Sequence, residues 1–346
     1  MQDDGLVLSK LGVELPVLAA PMAGGPTTPA MVIAAARAGS LGFLAAGYKS
    51  ADALAEQIAT VRAATSTFGV NLFAPNPVSI DGDAFSRYAE AVAGEGQEYG
   101  LDLSAAPLVE DDDDWLAKVE LLTSDPVPVV TFTFGLPDTD AIRRLRRAGS
   151  VLIQTVTSPE EAALAAAAGL DALAVQSPDA GGHSGTFTPE RPVRERTLPD
   201  LVRDVRRAVD LPVFAAGGIA DAGDVTAALH AGALATLVGT LLLRSDESGL
   251  STTHQAALVD KQDVATTLTR AFTGRPARAI RNAFVDCYSD IAPLGYPALH
   301  HLTSALRKAA AAAGDQERVH LWAGTGHGAV RAASTEEILT DLAARA

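Results

Sequence analysis

Eight short apolar runs alternate with alanine-rich segments of helical length, and this alternation predicts an α/β protein, a TIM (β/α)8 barrel with an additional helical cap domain. The chain of 346 residues is 48% hydrophobic and 20% charged, which suffices for one large core and a smaller appended lobe. Several helical segments also begin at Ser, Thr or Asp and end at Gly, residues that favour helix starts and stops.

The predicted strands are rich in Val, Leu, Ile and Phe, as strands of a buried parallel sheet are. In chain order they are VLAAPM (17–22), LGFLAAG (41–47), FGVNLF (68–73), VPVVTFTFG (127–135), VLIQTVTS (151–158), ALAVQSP (172–178), PVFAAGGIA (212–220) and ATLVGTLLL (235–243). The helices between them are PAMVIAAARAG, SADALAEQIATVRAAT, TDAIRRLRRAG, SPEEAALAAAAG and DAGDVTAALHAG. Eight such β/α units favour closure into a barrel.

Two segments exceed a minimal barrel. We expect residues 1–244 to form the barrel, with an insertion over its mouth at 75–125. Residues 245–319 are predicted to be a helical cap with an alanine-rich helix near Leu302 to Ala313, and 320–346 to return to the barrel and end in its terminal helix. The acidic run Asp111 to Asp114 is more typical of a solvated surface than of a calcium site.

The net charge limits the classes of partner to expect, and the cysteine content bears on the cellular compartment. A formal net charge of −15 disfavours nucleic acid and anionic membranes, so a small molecule is the expected partner of a monomer or homodimer. The single cysteine, Cys287, and the acidic amino terminus MQDDGLVLSK indicate a cytoplasmic protein without a secretion signal. No apolar stretch reaches the ~20 residues of a membrane span.

The last two predicted strands carry glycine-rich sequences. AAGGIAD brings Gly217 and Gly218, and LVGT brings Gly239 and Thr240, to the end of the barrel where active sites lie. Bare backbone amides at such turns can hold a phosphate, although a Gly-Gly pair can also serve only to turn the chain. No GxGxxG follows a strand, which disfavours a dinucleotide-binding Rossmann domain.

Other strand ends carry candidate ligand contacts. Met22 after the first strand can pack on an aromatic ring, and Asn71 in the third can hydrogen-bond, although both also fit a barrel interior. The sixth strand carries Gln176 and is followed by an Asp-Ala-Gly-Gly-His loop. His183, flanked by a glycine on one side and Ser-Gly on the other, is the best catalytic candidate and is expected to titrate near neutral pH.

The remaining nucleophilic and metal-binding residue types fit no known pattern. His230, His254 and His320 are interpreted as bystanders, and Ser184 lacks a nucleophile-elbow motif. No HxxxH, HExxH or cysteine cluster occurs, so no metal is expected.

The chain resembles the nitronate monooxygenases, formerly called 2-nitropropane dioxygenases, in the bacterial class with an AGGH loop. The matching motifs are PMAGGPTTPAM, GFLAAGYKS, GVNLFAPNP, QSPDAGGHSG, AAGGIAD, LVGT, FTGRPARAIRN and LWAGTGHG. The resemblance implies a barrel with a helical domain, non-covalent FMN, and oxidation of alkyl nitronates by dioxygen to a carbonyl compound and nitrite. It also implies propionate 3-nitronate as substrate and a detoxifying role.

Carried onto this chain, the resemblance assigns catalysis to His183 and places Met22 beside the flavin ring. It assigns the other FMN contacts to Asn71, Gln176, Gly181, Gly218, Leu237, Val238, Gly239 and Thr240. Tyr296 and His300, in the YPALHH segment, are further candidates on the substrate side. The chain departs from the family pattern at Ser177, Asp179, Ser184 and Thr325, which leaves the substrate open.

Two alternative functions stay compatible with the motifs. One is an NAD(P)H-dependent FMN reductase, of the quinone or enoyl-acyl-carrier-protein reductase type, because one fold supports many reactions. The other is a flavin-binding protein without turnover, whose cap serves as an interaction surface.

Overall fold

The computed structural model describes residues 12–344. The acidic segment MQDDGLVLSK, used above against a secretion signal, therefore lies outside the described residues. None of the described helices is both long and apolar enough to cross a membrane.

Eight parallel strands form the barrel within the described residues, as predicted. They are β1 (Val17–Ala19), β2 (Phe43–Ala45), β3 (Gly69–Ala74), β4 (Val129–Phe134), β5 (Val151–Val156), β6 (Ala172–Gln176), β8 (Val213–Ala216) and β9 (Ala235–Val238). Each strand pairs with its neighbours in the order β1-β9-β8-β6-β5-β4-β3-β2, and the Ala19 amide donates to the Leu41 carbonyl (2.9 Å) to close the ring. The confirmed strands are mostly shorter than predicted, because their last predicted residues belong to loops at the barrel mouth.

Helices cover the outside of the barrel. They are α1 (Pro29–Arg37), α2 (Ala51–Arg62), α4 (Trp115–Ser124), α5 (Thr139–Ala148), α6 (Pro159–Ala167), α7 (Leu198–Ala208), α8 (Ala222–His230) and α12 (Thr335–Ala343). Most of these helices begin after a Ser, Thr or Asp whose side chain accepts from a first-turn amide, as the sequence indicated. The α4 helix lies inside the predicted insertion but packs on β3 and α5, so it is the barrel's own helix between β3 and β4.

The barrel interior and the helix layer have separate apolar cores, because side chains alternate between the two faces of each strand. Leu18, Phe43 and Phe214 point inward and share one cluster. Val17 and Val213 point outward and pack against the helices. Side chains therefore fill the inside of the barrel. A ligand of the barrel would lie at its mouth and not along its axis.

Residues 245–319 contain strands as well as helices. The helices are α9 (Thr252–Asp260), α10 (Ala283–Tyr288) and α11 (Ala298–Ala313), and the strands are β10 (Thr266–Thr269) and β11 (Ala277–Ile280). Beside these helices, β10 and β11 form a hairpin that also pairs with the short strand β7 (Gly182–His183). The division of the chain at 244 and 319 stays a prediction.

The insertion and the cap share one apolar core. Helix α3 (Gly82–Gln97), from the insertion, packs against α11, with Tyr88 and Val92 in the same cluster as Phe272 and Leu299. The Tyr88 hydroxyl donates to the Ala271 carbonyl (2.6 Å). The two additions thus form one cover over the barrel mouth.

Candidate active site

A cavity of about 500 Å³ lies at the carboxyl ends of the barrel strands, beneath the cover. The catalytic candidate His183 lines it. So do Met22, Asn71, Gln176, Gly181, Gly217, Gly218, Leu237, Val238, Gly239, Thr240 and His300. All predicted site residues except Tyr296 therefore face one space.

Two neighbouring turns present unpaired backbone amides to this cavity. The N–H groups of Gly218, Gly239 and Thr240 donate to no protein acceptor within residues 12–344. Residues after Val238 leave the strand and form a 3-10 helix (Thr240–Leu242), where a longer strand was predicted. The turns therefore offer donors to an anionic group.

Side chains engage several of the amides at the start of the adjacent helix α8. The Asp221 side chain accepts from Gly223 and Asp224 N–H, and Asp224 accepts from the Ala220 N–H (2.8 Å). Because these carboxylates cap most of the first turn, the unpaired donors described above come from the two glycine turns.

Gly217 is required by its surroundings. Its φ is +109°, and a Cβ there would lie 2.5 Å from Ser177 Oγ and 2.9 Å from the Ala180 nitrogen. A Cβ on Gly218 would lie 3.1 Å from the Asp179 Cβ. The family departures Ser177 and Asp179 therefore lie behind the glycine turn, outside the cavity lining.

Asn71 lies on β3 at the cavity floor and is buried. Its Nδ2 donates to Thr131 Oγ1 (2.8 Å) and Thr133 Oγ1 (3.0 Å) on β4. These bonds orient the amide so that Oδ1 accepts from no group in the described part of the chain. Asn71 is thus held as an acceptor for a ligand N–H.

Gln176 holds the His183 loop. Its Nε2 donates to the His183 carbonyl (3.1 Å), and its Oε1 accepts from the Gly185 N–H (2.7 Å). Both polar ends of the amide are therefore engaged by the loop, so the structure gives Gln176 a positioning role that the sequence did not indicate.

Gly181 allows the loop to meet the LWAGTGHG segment. A Cβ at Gly181 would lie 2.5 Å from the Gly324 nitrogen, and the Gly324 N–H donates to Thr240 Oγ1 (2.9 Å). The loop, this segment and the second glycine turn are therefore in direct contact, and Gly181 is needed for packing.

The His183 ring lies among aromatic rings, open to the cavity. Ring centroids of Phe134, Tyr296 and Trp322 lie 5.5 to 5.7 Å away, and Nε2 is 2.9 Å from Thr273 Oγ1. Burial, with Arg275 and then Arg307 adding repulsion, lowers the pKa of His183 to about 3. The expectation of titration near neutral pH is wrong, and the imidazole is neutral at physiological pH.

Of the two substrate-side candidates, only His300 lines the cavity. Its ring is stacked on Tyr48 at 4.0 Å, and Tyr48 also lines the cavity. Tyr296 lies one layer behind, with its hydroxyl 3.4 Å from the Tyr48 hydroxyl and its ring against His183.

Two histidines interpreted as bystanders face the cavity. His254 and His320 are among its lining residues, and neither His254 Nε2 nor His320 Nδ1 has a hydrogen-bond partner in the described chain. Burial lowers the pKa of both rings, that of His254 to about 4. His230 is exposed on α8, as a bystander would be.

The cavity lining within residues 12–344 carries positive charge and no carboxylate. Arg307 is buried beside it, and Lys308 is exposed at its rim. The acidic protein thus surrounds its cavity with imidazoles and cations. Such a lining favours an anionic ligand.

The acidic run is only partly a solvated surface. Asp113 accepts from the Tyr48 N–H (2.7 Å) and pairs with the buried Lys118 (2.7 Å). Asp111 contacts His301 of the cap (2.9 Å). The run therefore supports the cavity wall at Tyr48, which the sequence did not predict.

A sequence model of the family "Nitronate monooxygenase" matches residues 6–345. The chain belongs to the nitronate monooxygenase family. It is 36% identical over 320 residues to a "Probable nitronate monooxygenase" of Staphylococcus aureus, covering 91% of this chain and 89% of the relative. Membership makes the protein an oxidoreductase of the nitronate monooxygenase type.

Two solved structures have a similar fold over almost the whole chain. A nitroalkane oxidase from Streptomyces ansochromogenes superimposes with a TM-score of 0.91 at 46% identity, over 98% of this chain and 97% of that one. FabK from Thermotoga maritima superimposes with a TM-score of 0.75 at 28% identity, over 98% and 95% of the two chains.

The sequence motifs of this nitronate monooxygenase family member did not lead us to predict Tyr48, Arg275 and Arg307 as residues of the site. Arg275 lies within the matched motif FTGRPARAIRN, and its guanidinium sits 4.1 Å above the Phe134 ring and donates to the Thr186 carbonyl. The motif was a usable signal for Arg275. Arg307 follows no motif, so only the fold reveals it.

The buried His254 should make this protein acid-sensitive. Its pKa is about 4 when folded and 6.5 when unfolded, so the unfolded chain binds the extra proton first as pH falls. The contribution is fully present above pH 6.5 and is lost progressively toward pH 4, by about 1.4 kcal/mol per pH unit. We expect His254→Gln to lower the slope of the unfolding free energy against pH, between pH 4 and 6.5, by the equivalent of about one proton.

Urea unfolding at pH 7, 6 and 5 measures this dependence. The exposed His230→Gln variant is the control and should keep the wild-type slope. An unchanged slope in His254→Gln would show that this imidazole is already protonated in the folded protein.

Proposed function

We propose that the protein binds FMN and oxidises alkyl nitronates with dioxygen to a carbonyl compound and nitrite. One observation carries the proposal: the described cavity joins an amide-lined anion site to a space with a neutral His183, a buried Arg307 and no carboxylate. A nitronate is an anion, so this charge distribution favours it over the neutral nitroalkane.

The residues present fit FMN. Gly218, Gly239 and Thr240 would donate to its phosphate, and Asn71 Oδ1 would accept from a ring N–H. Met22 would pack beside the ring. Bound FMN supplies the electron acceptor for the nitronate and the electron donor for dioxygen.

His183 would act as a hydrogen-bond donor to a nitronate oxygen. The ring is neutral, so only one nitrogen carries a proton. Nε2 contacts Thr273 Oγ1, so Nδ1 would be the donor to the nitronate in the tautomer where Nε2 accepts from the Thr273 hydroxyl. Contact with Thr273 Oγ1 and the bond from Gln176 to the His183 carbonyl hold the ring in place. A preorganised donor in a cavity shielded from water stabilises developing charge.

We propose propionate 3-nitronate as the substrate, and detoxification of this anion as the physiological role. Membership of the nitronate monooxygenase family supports an anionic nitronate. So does the cavity lining, which contains no Asp or Glu among the described residues. The departures at Ser177 and Asp179 lie behind the glycine turn and do not line the cavity.

Anaerobic mixing of the purified yellow protein with propionate 3-nitronate or with NADH tests the proposal. We expect the nitronate to change the flavin absorbance within the turnover time and NADH to leave it unchanged. In air, the nitronate should drive oxygen uptake and nitrite release.

Rapid bleaching by NADH would indicate the reductase alternative instead. Tight flavin binding without oxygen uptake on any nitronate would indicate a flavin-binding protein without turnover.

A further inference from the structure

Arg307 on α11 is a buried cation without an acidic partner. It is 6% exposed, and no carboxylate pairs with it within residues 12–344. Its partners are neutral groups of its own helix: Nε lies 3.1 Å from Thr303 Oγ1, and Nη2 donates to the His300 carbonyl (2.9 Å). An uncompensated buried charge is costly, so a cavity beside it favours an anionic ligand.

Arg307 also determines which nitrogen of His300 carries the proton. Nη2 of the guanidinium lies 3.2 Å from His300 Nδ1, and a guanidinium can only donate. His300 Nδ1 is therefore the acceptor. Burial and the neighbouring Arg307 charge lower the pKa of His300, so the ring is neutral and its single proton sits on Nε2.

Two donors remain free and open to the cavity. Arg307 Nη1 and His300 Nε2 donate to no protein acceptor within residues 12–344. Neither atom is among the unpaired atoms that are fully shielded from solvent. Both residues line the cavity. The ring of His300 is kept in its plane by stacking on Tyr48 at 4.0 Å and 4°. The donors are thus preorganised on one side of the space that His183 faces.

We propose that Arg307 Nη1 and His300 Nε2 bind the carboxylate of a nitronate that carries a second anionic group. The inference rests on the proposed function and adds the residues that select the substrate class. His183 and His300 lie against the same Tyr296 ring, at 5.7 and 6.4 Å, so a short substrate can reach both. The substrate carboxylate would be the counter-ion of Arg307, which has no carboxylate partner in the described chain. Binding involves no covalent step.

The test compares two nitronates of equal carbon number, propionate 3-nitronate and propyl-1-nitronate, on the FMN-loaded enzyme. We expect wild type to prefer the carboxylated one in kcat/KM. Arg307→Met should lower this preference about 10- to 100-fold, the scale of a charged hydrogen bond. The loss should appear mainly in the KM for propionate 3-nitronate, and kcat/KM for propyl-1-nitronate should fall much less.

Matched variants separate charge, donor and fold. Arg307→Lys keeps the charge and should retain part of the preference. His300→Gln offers an amide donor near Nε2 and should retain more of the preference than His300→Leu. Arg331→Met removes an exposed, ion-paired arginine and should leave the preference unchanged. Since both substrates are measured on one preparation, a partly unfolded variant still reports its own ratio.

A preference that survives in Arg307→Met would overturn the inference while leaving the proposed function intact. Absence of oxygen uptake with both nitronates in wild type would instead overturn the proposed function itself.

Discussion

Replacing His183 with Asn is expected to lower nitronate turnover by about 100-fold or more while FMN stays bound. The ring lines the cavity and is held among the rings of Phe134, Tyr296 and Trp322. Asn is polar but shorter than imidazole, so it fills the space without reaching the same position. Oxygen uptake under saturating nitronate measures the loss, and absorbance of the bound flavin reports occupancy.

The pH dependence of kcat/KM distinguishes a neutral, hydrogen-bonding His183 from a His183 that acts as an acid or base. Because the pKa of His183 is lowered to about 3, the ring is neutral throughout pH 5 to 8. The kcat/KM for a pre-formed nitronate should therefore show no limb from His183 in that range. His230→Asn, on the barrel exterior, is the control and should keep full activity. Wild-type turnover in His183→Asn would remove His183 from the mechanism.

Gly217→Ala is expected to weaken FMN binding by about 100-fold or more. The new Cβ would meet Ser177 Oγ at 2.5 Å and the Ala180 backbone at 2.9 Å, at a φ of +109° that costs an L-residue about 1–3 kcal/mol. The turn must open, and the Gly218 amide moves with it. Loss of charge-assisted bonds to a phosphate accounts for the expected factor.

Gly149→Ala is the matched control for this substitution. Gly149 has a φ of +101° and nothing within 4 Å of its Cβ position, and it ends α5 on the barrel exterior. It should cost a similar backbone strain, about 1–2 kcal/mol of stability, without affecting FMN. Flavin fluorescence on release measures both dissociation constants. Equal FMN affinity in the two variants would show that the turn does not hold the phosphate.

Local sequence patterns were sufficient for the barrel. Each strand is a short apolar run, and most of the barrel helices begin after a Ser, Thr or Asp, so neighbours along the chain carry the information. Helix α4 was instead assigned to the insertion, and its first turn has no side-chain cap. The hairpin of β10 and β11 could not be predicted in this way. Its strands have four residues each, and TTLT has no apolar alternation. Its partner β7 lies far away in the sequence, so pairing depends on the fold.

Protonation and charge at the site depended on residues that meet only in three dimensions. The glycine neighbours of His183 suggested titration near neutral pH, whereas packing among Phe134, Tyr296 and Trp322 desolvates the ring and lowers its pKa. His254 and His320 showed no motif, yet they line the cavity, because α9 and the LWAGTGHG segment converge there.

The sequence by itself determined the barrel, the glycine turns and the family, because these depend on patterns within short segments. Only the tertiary structure decided that His183 is neutral, that Tyr296 lies behind Tyr48, and that Arg307 lacks an acidic partner. These properties come from burial and from distances between segments remote in the chain. Desolvation and Coulomb interactions act through space, so they follow the fold and not the order of residues.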